Sequence, residues 1–174
     1  QLKVTLPKLT ELMLSSCLLT GPVPSWLGEC AALEKLVLQR NVLTGDIPSS
    51  LGHCVKLKLL MLQVNQLTGA IPESLFQCRR LQFLLLNNNR LSGALPAAIG
   101  QCAQLVELNL CANQLTGPIP EALGRCAARS PQCADVGHTP SSASQHPPPP
   151  LAPAAPLRRP PTGRRRASLP PRSP

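Results

Sequence analysis

Tyrosine is absent from this chain, and its aromatic side chains amount to one Trp and two Phe. A core without large rings must be built from Leu, Ile, Val and Cys. Long apolar runs are missing as well: none approaches the ~20 residues that cross a bilayer, so no membrane span is expected in this chain. The N-terminus, QLKVTLPKLT, has neither a starting Met nor a signal-peptide core and reads as a start partway through a larger unit. No Asn-x-Ser/Thr glycan acceptor occurs; Asn109-Leu110-Cys111 comes nearest. The three histidines, His53, His138 and His146, have no nucleophile or carboxylate at an informative spacing. The glycines form no phosphate-binding loop, and the HRD and DFG stretches of a kinase are missing. Neither catalysis nor a cofactor or metal is expected.

Acidic residues are few, 8 against 17 Lys and Arg, for a net charge of +9. The excess is uneven. Residues 1–128 carry net +3, whereas residues 129–174 hold seven Arg and one Asp. Basic character is a property of the C-terminal stretch and says little about a folded part.

What is present is a repeat. Five units of twenty-four residues begin at Leu9, Leu33, Leu57, Leu81 and Leu105, and the third, LKLLMLQVNQLTGAIPESLFQCRR, shows every element. A period of this size means stacked units, none able to bury its apolar side alone. Within each, leucines alternate with variable residues, the period-2 signature of a half-buried strand. Gly21, Gly45, Gly69, Gly93 and Gly117, at the thirteenth position, permit a positive-φ turn. Pro24, Pro48, Pro72, Pro96 and Pro120, at the sixteenth, suit the first position of a short helical turn. Asn41, Asn65, Asn89 and Asn113, at the ninth, can satisfy backbone groups where the chain leaves the strand, and would stack as a structural ladder. The first unit has Cys17 there instead.

These units resemble the plant-type leucine-rich repeat, with its LTGxIPxxLGxC stretch, of receptor-like kinase and receptor-like protein ectodomains and of polygalacturonase-inhibiting proteins. The resemblance covers residues 9–128. It implies an α/β repeat solenoid, curved and right-handed, with a parallel β-sheet on the concave side that binds ligands and short 3-10 or helical turns on the convex side. It also implies cysteine-paired caps, which are not evident here.

Cys30, Cys54, Cys78, Cys102 and Cys126 recur at the repeat period. Five cannot pair completely, and strands ~4.8 Å apart with parallel Cβ vectors miss the ~3.8 Å Cβ separation of a disulfide. A line of thiols does not converge as zinc requires. Leu6 lies one period before Cys30, so the position asks for an apolar plug; the five are expected to be buried, structural and reduced. Cys17, Cys111 and Cys133 lie off the line, and Cys126 with Cys133 is the one candidate capping pair.

Residues 1–128 are therefore expected to form the repeat solenoid and residues 129–174 a Pro/Arg/Ser-rich disordered tail, the break falling at Arg129. The tail holds an SH3-ligand pattern, Pro153–Arg158, and a basophilic kinase pattern ending at Ser168, a candidate phosphosite. Both patterns are short and arise easily in a Pro/Arg/Ser-rich tract; the plainer reading is a solvated linker or translated non-coding sequence. Nucleic acid is not an expected partner.

Function is expected on the variable strand positions of the concave face. The third-position column reads Glu11, Lys35, Leu59, Phe83, Glu107, and the fifth Met13, Val37, Met61, Leu85, Asn109. The seventh reads Ser15, Gln39, Gln63, Asn87, Cys111, and the eighth Ser16, Arg40, Val64, Asn88, Ala112. Val37, Leu59, Met61, Val64, Phe83 and Leu85 are expected to gather into one exposed apolar patch with Phe83 and Met61 as anchors and a polar frame around it. The partner is a protein or peptide ligand, or another copy of the chain. The family resemblance implies the extracellular side of the plasma membrane or secretion; a secreted inhibitor of cell-wall-degrading enzymes or a cytosolic scaffold with a docking tail would use the same scaffold.

Overall fold

The computed structural model describes residues 6–126 and the backbone of Ser130–Pro131. The Ser168, Pro153–Arg158 and Cys126–Cys133 readings lie outside the described residues.

Three-residue strands recur at Glu11–Met13 (β1), Lys35–Val37 (β3), Leu59–Met61 (β5), Phe83–Leu85 (β7) and Glu107–Asn109 (β9). They pair in parallel, in order, with partners one full period apart, as in Leu36↔Leu60↔Leu84↔Leu108. Those central leucines are fully buried apart from Leu12 at the first strand, which is half-buried. The strands stop after three residues. The eighth-position residues Ser16, Arg40, Val64, Asn88 and Ala112 all take left-handed φ between 52° and 59°, which turns the chain off the sheet. Strand alternation therefore does not place that column on the concave face.

A sixth strand, Ser130–Pro131 (β11), pairs with β9 through Ser130↔Glu107. The step of 23 is one short of the repeat period, and the sheet runs past residue 128. Arg129 cannot supply the leucine that opens a unit, but parallel pairing of two residues needs only backbone groups.

A second set of strands lies where the sequence shows only a glycine turn. Thr20–Pro22 (β2), Val42–Asp46 (β4) and Gln66–Thr68 (β6) form one parallel sheet, and Ser92–Ala94 (β8) with Gln114–Thr116 (β10) another. Gly21, Gly45 and Gly93 lie within these strands and Gly69 and Gly117 directly follow β6 and β10, all with φ between 71° and 82°, a conformation costly for side-chain-bearing residues.

Each unit closes with a five-residue 3-10 turn: Ser25–Glu29 (η1), Ser49–His53 (η2), Glu73–Gln77 (η3), Ala97–Gln101 (η4) and Glu121–Arg125 (η5). The proline stands one residue before each turn with extended ψ of 128–137°, not at its first position. Its carbonyl accepts the first turn bond, as in Leu51 N–H to Pro48 O at 3.1 Å. Pro is suited to this because extended φ/ψ before the turn needs no N–H of its own. Between the strands and the turns runs one continuous core of Leu, Ile, Val and Cys with Phe76. Each fully buried leucine contributes on the order of 1.5–3 kcal/mol.

Candidate functional site

The framework behind the candidate face is a chain of amide bonds. Asn89 is nearly buried; its Nδ2 donates to Leu62 O and Leu86 O, both at 3.0 Å, while its Oδ1 accepts from Leu67 N–H at 3.0 Å. Asn65 repeats this with Leu38 O, Leu62 O and Leu43 N–H, and Asn113 with Leu86 O, Leu110 O and Leu91 N–H. Asn41 reaches Leu14 O and Leu38 O and accepts from both Cys17 and Leu19 N–H, so the unit lacking its own Asn is served by its neighbour. The amide thus joins consecutive units, and Leu38, Leu62 and Leu86 carbonyls each receive two donors.

Cys30, Cys54, Cys78 and Cys102 are fully buried and Cys126 half-buried, none in a disulfide. The sequence reading makes them apolar plugs; the structure adds a donor role. Cys54 Sγ–H donates to Leu27 O at 3.2 Å, Cys78 to Cys54 O at 3.3 Å and Cys126 to Ile99 O at 3.4 Å. Loss of water pushes the Cys54 and Cys102 thiols up to about 11 and Cys78 up to about 12, with neighbouring thiols adding to the effect. Such thiols stay protonated and unreactive at neutral pH.

On the concave face, Leu59, Met61, Phe83 and Leu85 are half-buried on two adjacent strands. Lys35, Lys58, Leu59, Met61, Gln82 and Phe83 line a shallow cleft of about 270 Å³. The two anchor residues expected from sequence, Phe83 and Met61, stand together in it. The apolar patch is smaller than expected. Val37 is only 7% exposed, because the register sets its short side chain between the long ones of Met13 and Met61. Val64 is 43% exposed but sits in the left-handed turn past β5, and Arg40 is exposed at the equivalent point. At the first strand Met13 is 56% exposed.

Polar groups frame the cleft in pairs. Lys35 Nζ meets Glu11 at 2.9 Å, and Lys58 Nζ meets Glu34 at 2.7 Å. Bonding to Glu11 holds the Lys35 ammonium above its ordinary range, and Lys58 holds the Glu34 carboxyl below its own. Lys58, Glu34 and Gln82 occupy second positions, which the four-column reading passed over; no periodic signal marks them. Beside the cleft the Gln63 amide donates to Gln39, and Gln63 Oε1 is buried without a partner. Asn87 and Glu107 are half-buried on the far side, and Asn109 Oδ1 accepts from Cys111 N–H at 3.2 Å. Among the described residues, no group of three or more His, Cys, Asp or Glu is placed to hold a metal, and no helix is long and apolar enough to cross a membrane.

Family models described as leucine rich repeat match residues 7–67, 31–91 and 104–126. Several solved structures are similar. The plant peptide hormone receptor RGFR1 in complex with RGF2 is 40% identical with TM-score 0.62, covering 63% of this chain and 18% of that one. The Arabidopsis thaliana receptor kinase HAESA, with the peptide hormone IDA and the co-receptor SERK1, is 35% identical with TM-score 0.65 (68% and 20%). The BIR3–SERK2 complex from Arabidopsis thaliana is 33% identical with TM-score 0.64, covering 74% and 75%. This chain thus spans less than a quarter of the two hormone receptors. A search of the curated proteins finds no match.

Proposed function

The chain belongs to the leucine-rich repeat family, in the form found in plant receptor-kinase ectodomains, and on that premise we propose that its repeats hold a protein or peptide ligand against the β1–β9 face. The observation that carries this reading is the cleft at Leu59, Met61 and Phe83. Three apolar side chains on adjacent strands stay open to solvent, although this sheet's other face buries the interior leucines from Leu36 to Leu110. Contiguous apolar surface with a polar frame is the usual anatomy of an interaction site. The ligand is met by Phe83 and Met61 as anchors, with Glu11, Lys35, Gln39, Gln63, Asn87, Glu107 and Asn109 around them and Leu85 extending the apolar floor. The solved relatives whose titles name peptide hormones and co-receptors support a peptide or protein occupant and a place on the extracellular side. A recognition role, not a catalytic one, fits this scaffold.

The test is selection from a random-peptide display library on the intact chain. Recovered peptides should bind Phe83→Ser at least tenfold more weakly while binding Gln77→Ala, on η3, normally. Recovered binders indifferent to Phe83 and Met61 would move the site off this face.

A further inference from the structure

The units do not stack alike, and several irregularities meet at one junction. The second sheet runs through β2, β4 and β6 and resumes as β8 with β10; between them regular strand pairing shrinks to the bridge Ala70↔Ser92, although Arg90 N–H and Ser92 N–H still donate to Leu67 O and Gly69 O at 2.8 Å. Behind it, the fourth residue of the convex turn is Gly28, Gly52, Gly100 or Gly124 in four units but Phe76 in the third. A Cβ on Gly28 or Gly52 would overlap the carbonyl of Ser50 or Ser74 in the next turn, and one on Gly100 would lie 2.8 Å from Ala122 Cβ. Glycine is what lets successive turns touch. Phe76 brings not only a Cβ but a ring, wholly buried, so the turn that follows must stand off.

Hydrogen bonding changes at the same place. Ser50 Oγ donates to Ser25 O and Ser74 Oγ to Ser49 O, each at 2.7 Å, tying η2 to η1 and η3 to η2. The equivalent residue is Ala98 in η4 and Ala122 in η5, neither with a hydroxyl to tie its turn to the one before, but only at η3–η4 does the glycine contact go as well. The thiol contact slackens too. The nearest carbonyl to Cys54, Cys78 and Cys126 Sγ lies at 3.2, 3.3 and 3.4 Å, but the nearest to Cys102 at 3.6 Å. Between η3 and η4 an open cleft of about 450 Å³ remains, lined by Glu73, Ser74, Gln77, Arg79, Ala98 and Gln101. The strand side is intact across this line: β5 pairs with β7 in full, and Asn89 bonds both units.

We propose that the junction of the third and fourth units is a built-in articulation, at which the convex turns open and close while the β5–β7 ladder and Asn89 serve as the hinge line. In a repeat stack stability is the sum of unit and interface contributions, so the interface with the fewest ties opens first. A hinge needs one bonded edge and one free edge, and this is the one junction between the first and fifth units where the free edge has lost both its serine tie and its glycine contact. Leu59 and Met61 lie on one side of the line and Phe83 and Leu85 on the other, so opening changes the curvature of the surface they share.

The articulation is read by thiol labelling of the intact protein with a neutral reagent, comparing Cys54 with Cys102. Both are fully buried and both are pushed up to about 11, so a difference in rate reports opening and not acidity. Cys102 should label at least tenfold faster than Cys54. Ala98→Ser, which restores a hydroxyl facing Glu73 O, should slow Cys102 several-fold and leave Cys54 unchanged; Phe76→Gly combined with Ala98→Ser should bring the two rates together. Equal rates in the native protein overturn the proposal. So does fast Cys102 labelling that ignores Ala98→Ser, since that is fraying of the C-terminal end. These readouts need no ligand, so they stand or fall separately from the concave-face reading.

Discussion

Replacing Asn89 with Ala removes three hydrogen bonds at once, but the three are not equal. Leu62 O keeps its bond from Asn65 and Leu86 O keeps its bond from Asn113. Only Leu67 N–H, on a fully buried residue, is left without its acceptor. Taking about 1 kcal/mol for each bond lost and a further ~1 kcal/mol for stranding a buried donor, the substitution should cost about 4 kcal/mol. The sharper test is a double-mutant cycle. Asn65 and Asn89 share Leu62 O, so removing both strips that buried carbonyl of every amide donor and should cost on the order of 1–2 kcal/mol more than the two single changes together. Asn41 and Asn89 share no carbonyl, and that pair should add within ~0.5 kcal/mol. Urea unfolding with fitted m-values measures all five variants, and amide exchange at Leu67 locates the damage. Equal additivity in both pairs, or an Asn89→Ala cost under 1 kcal/mol with Leu67 still protected, would refute the shared-acceptor reasoning.

Phe83→Ser should leave the melting curve within a few degrees of the parent, because Phe83 is half-buried on the open face; collapse of the fold would put it inside. The thiol ladder predicts a pH dependence of fixed sign. The unfolded thiols lose their protons near 9 while folded Cys78 holds its own to about 12, so the unfolded state binds fewer protons and stability falls as pH rises through that window. Melting temperature should be flat below about pH 8.5 and drop above it, and Cys78→Ala should flatten the drop; an unchanged slope would put the thiol elsewhere. Cys78→Ser should cost on the order of 1–3 kcal/mol by bringing a more polar group into the core, and a neutral result would mean the hydroxyl bonds Cys54 O as well as the thiol does. Removing residues 132–174 should leave the thermal transition of the repeats in place, which circular dichroism checks; loss of the transition would make that segment part of the fold.

The leucine strands, the buried thiols and the placing of Met61 and Phe83 on one cleft are legible in the sequence because each follows from a fixed position in the period. The second strand ladder is not, since short segments that contain or abut a positive-φ glycine show no alternation. Nor is the left-handed eighth position: Ser16, Arg40, Val64, Asn88 and Ala112 share no composition, so no residue type marks the turn. Val37 misleads for another reason. Its own position predicts exposure, while its burial comes from the length of Met13 and Met61 on either side. Phe76 did carry a signal, as the single break in a column of glycines, but its meaning needs the next turn's carbonyl in view.

The amide bonds point one way along the chain. Asn65 serves Leu43 N–H of the unit before it, Asn89 serves Leu67, and Asn113 serves Leu91. The thiols follow the same direction, each donating to a carbonyl of the preceding unit. A unit is therefore finished by its successor and not by its predecessor. For a polypeptide emerging amino end first, each new repeat satisfies polar groups its forerunner had left bare, so ordered structure trails synthesis by one repeat. A stack of this kind grows as a queue with a single unfinished member, and lengthening it adds no further exposed polar groups to the growing end.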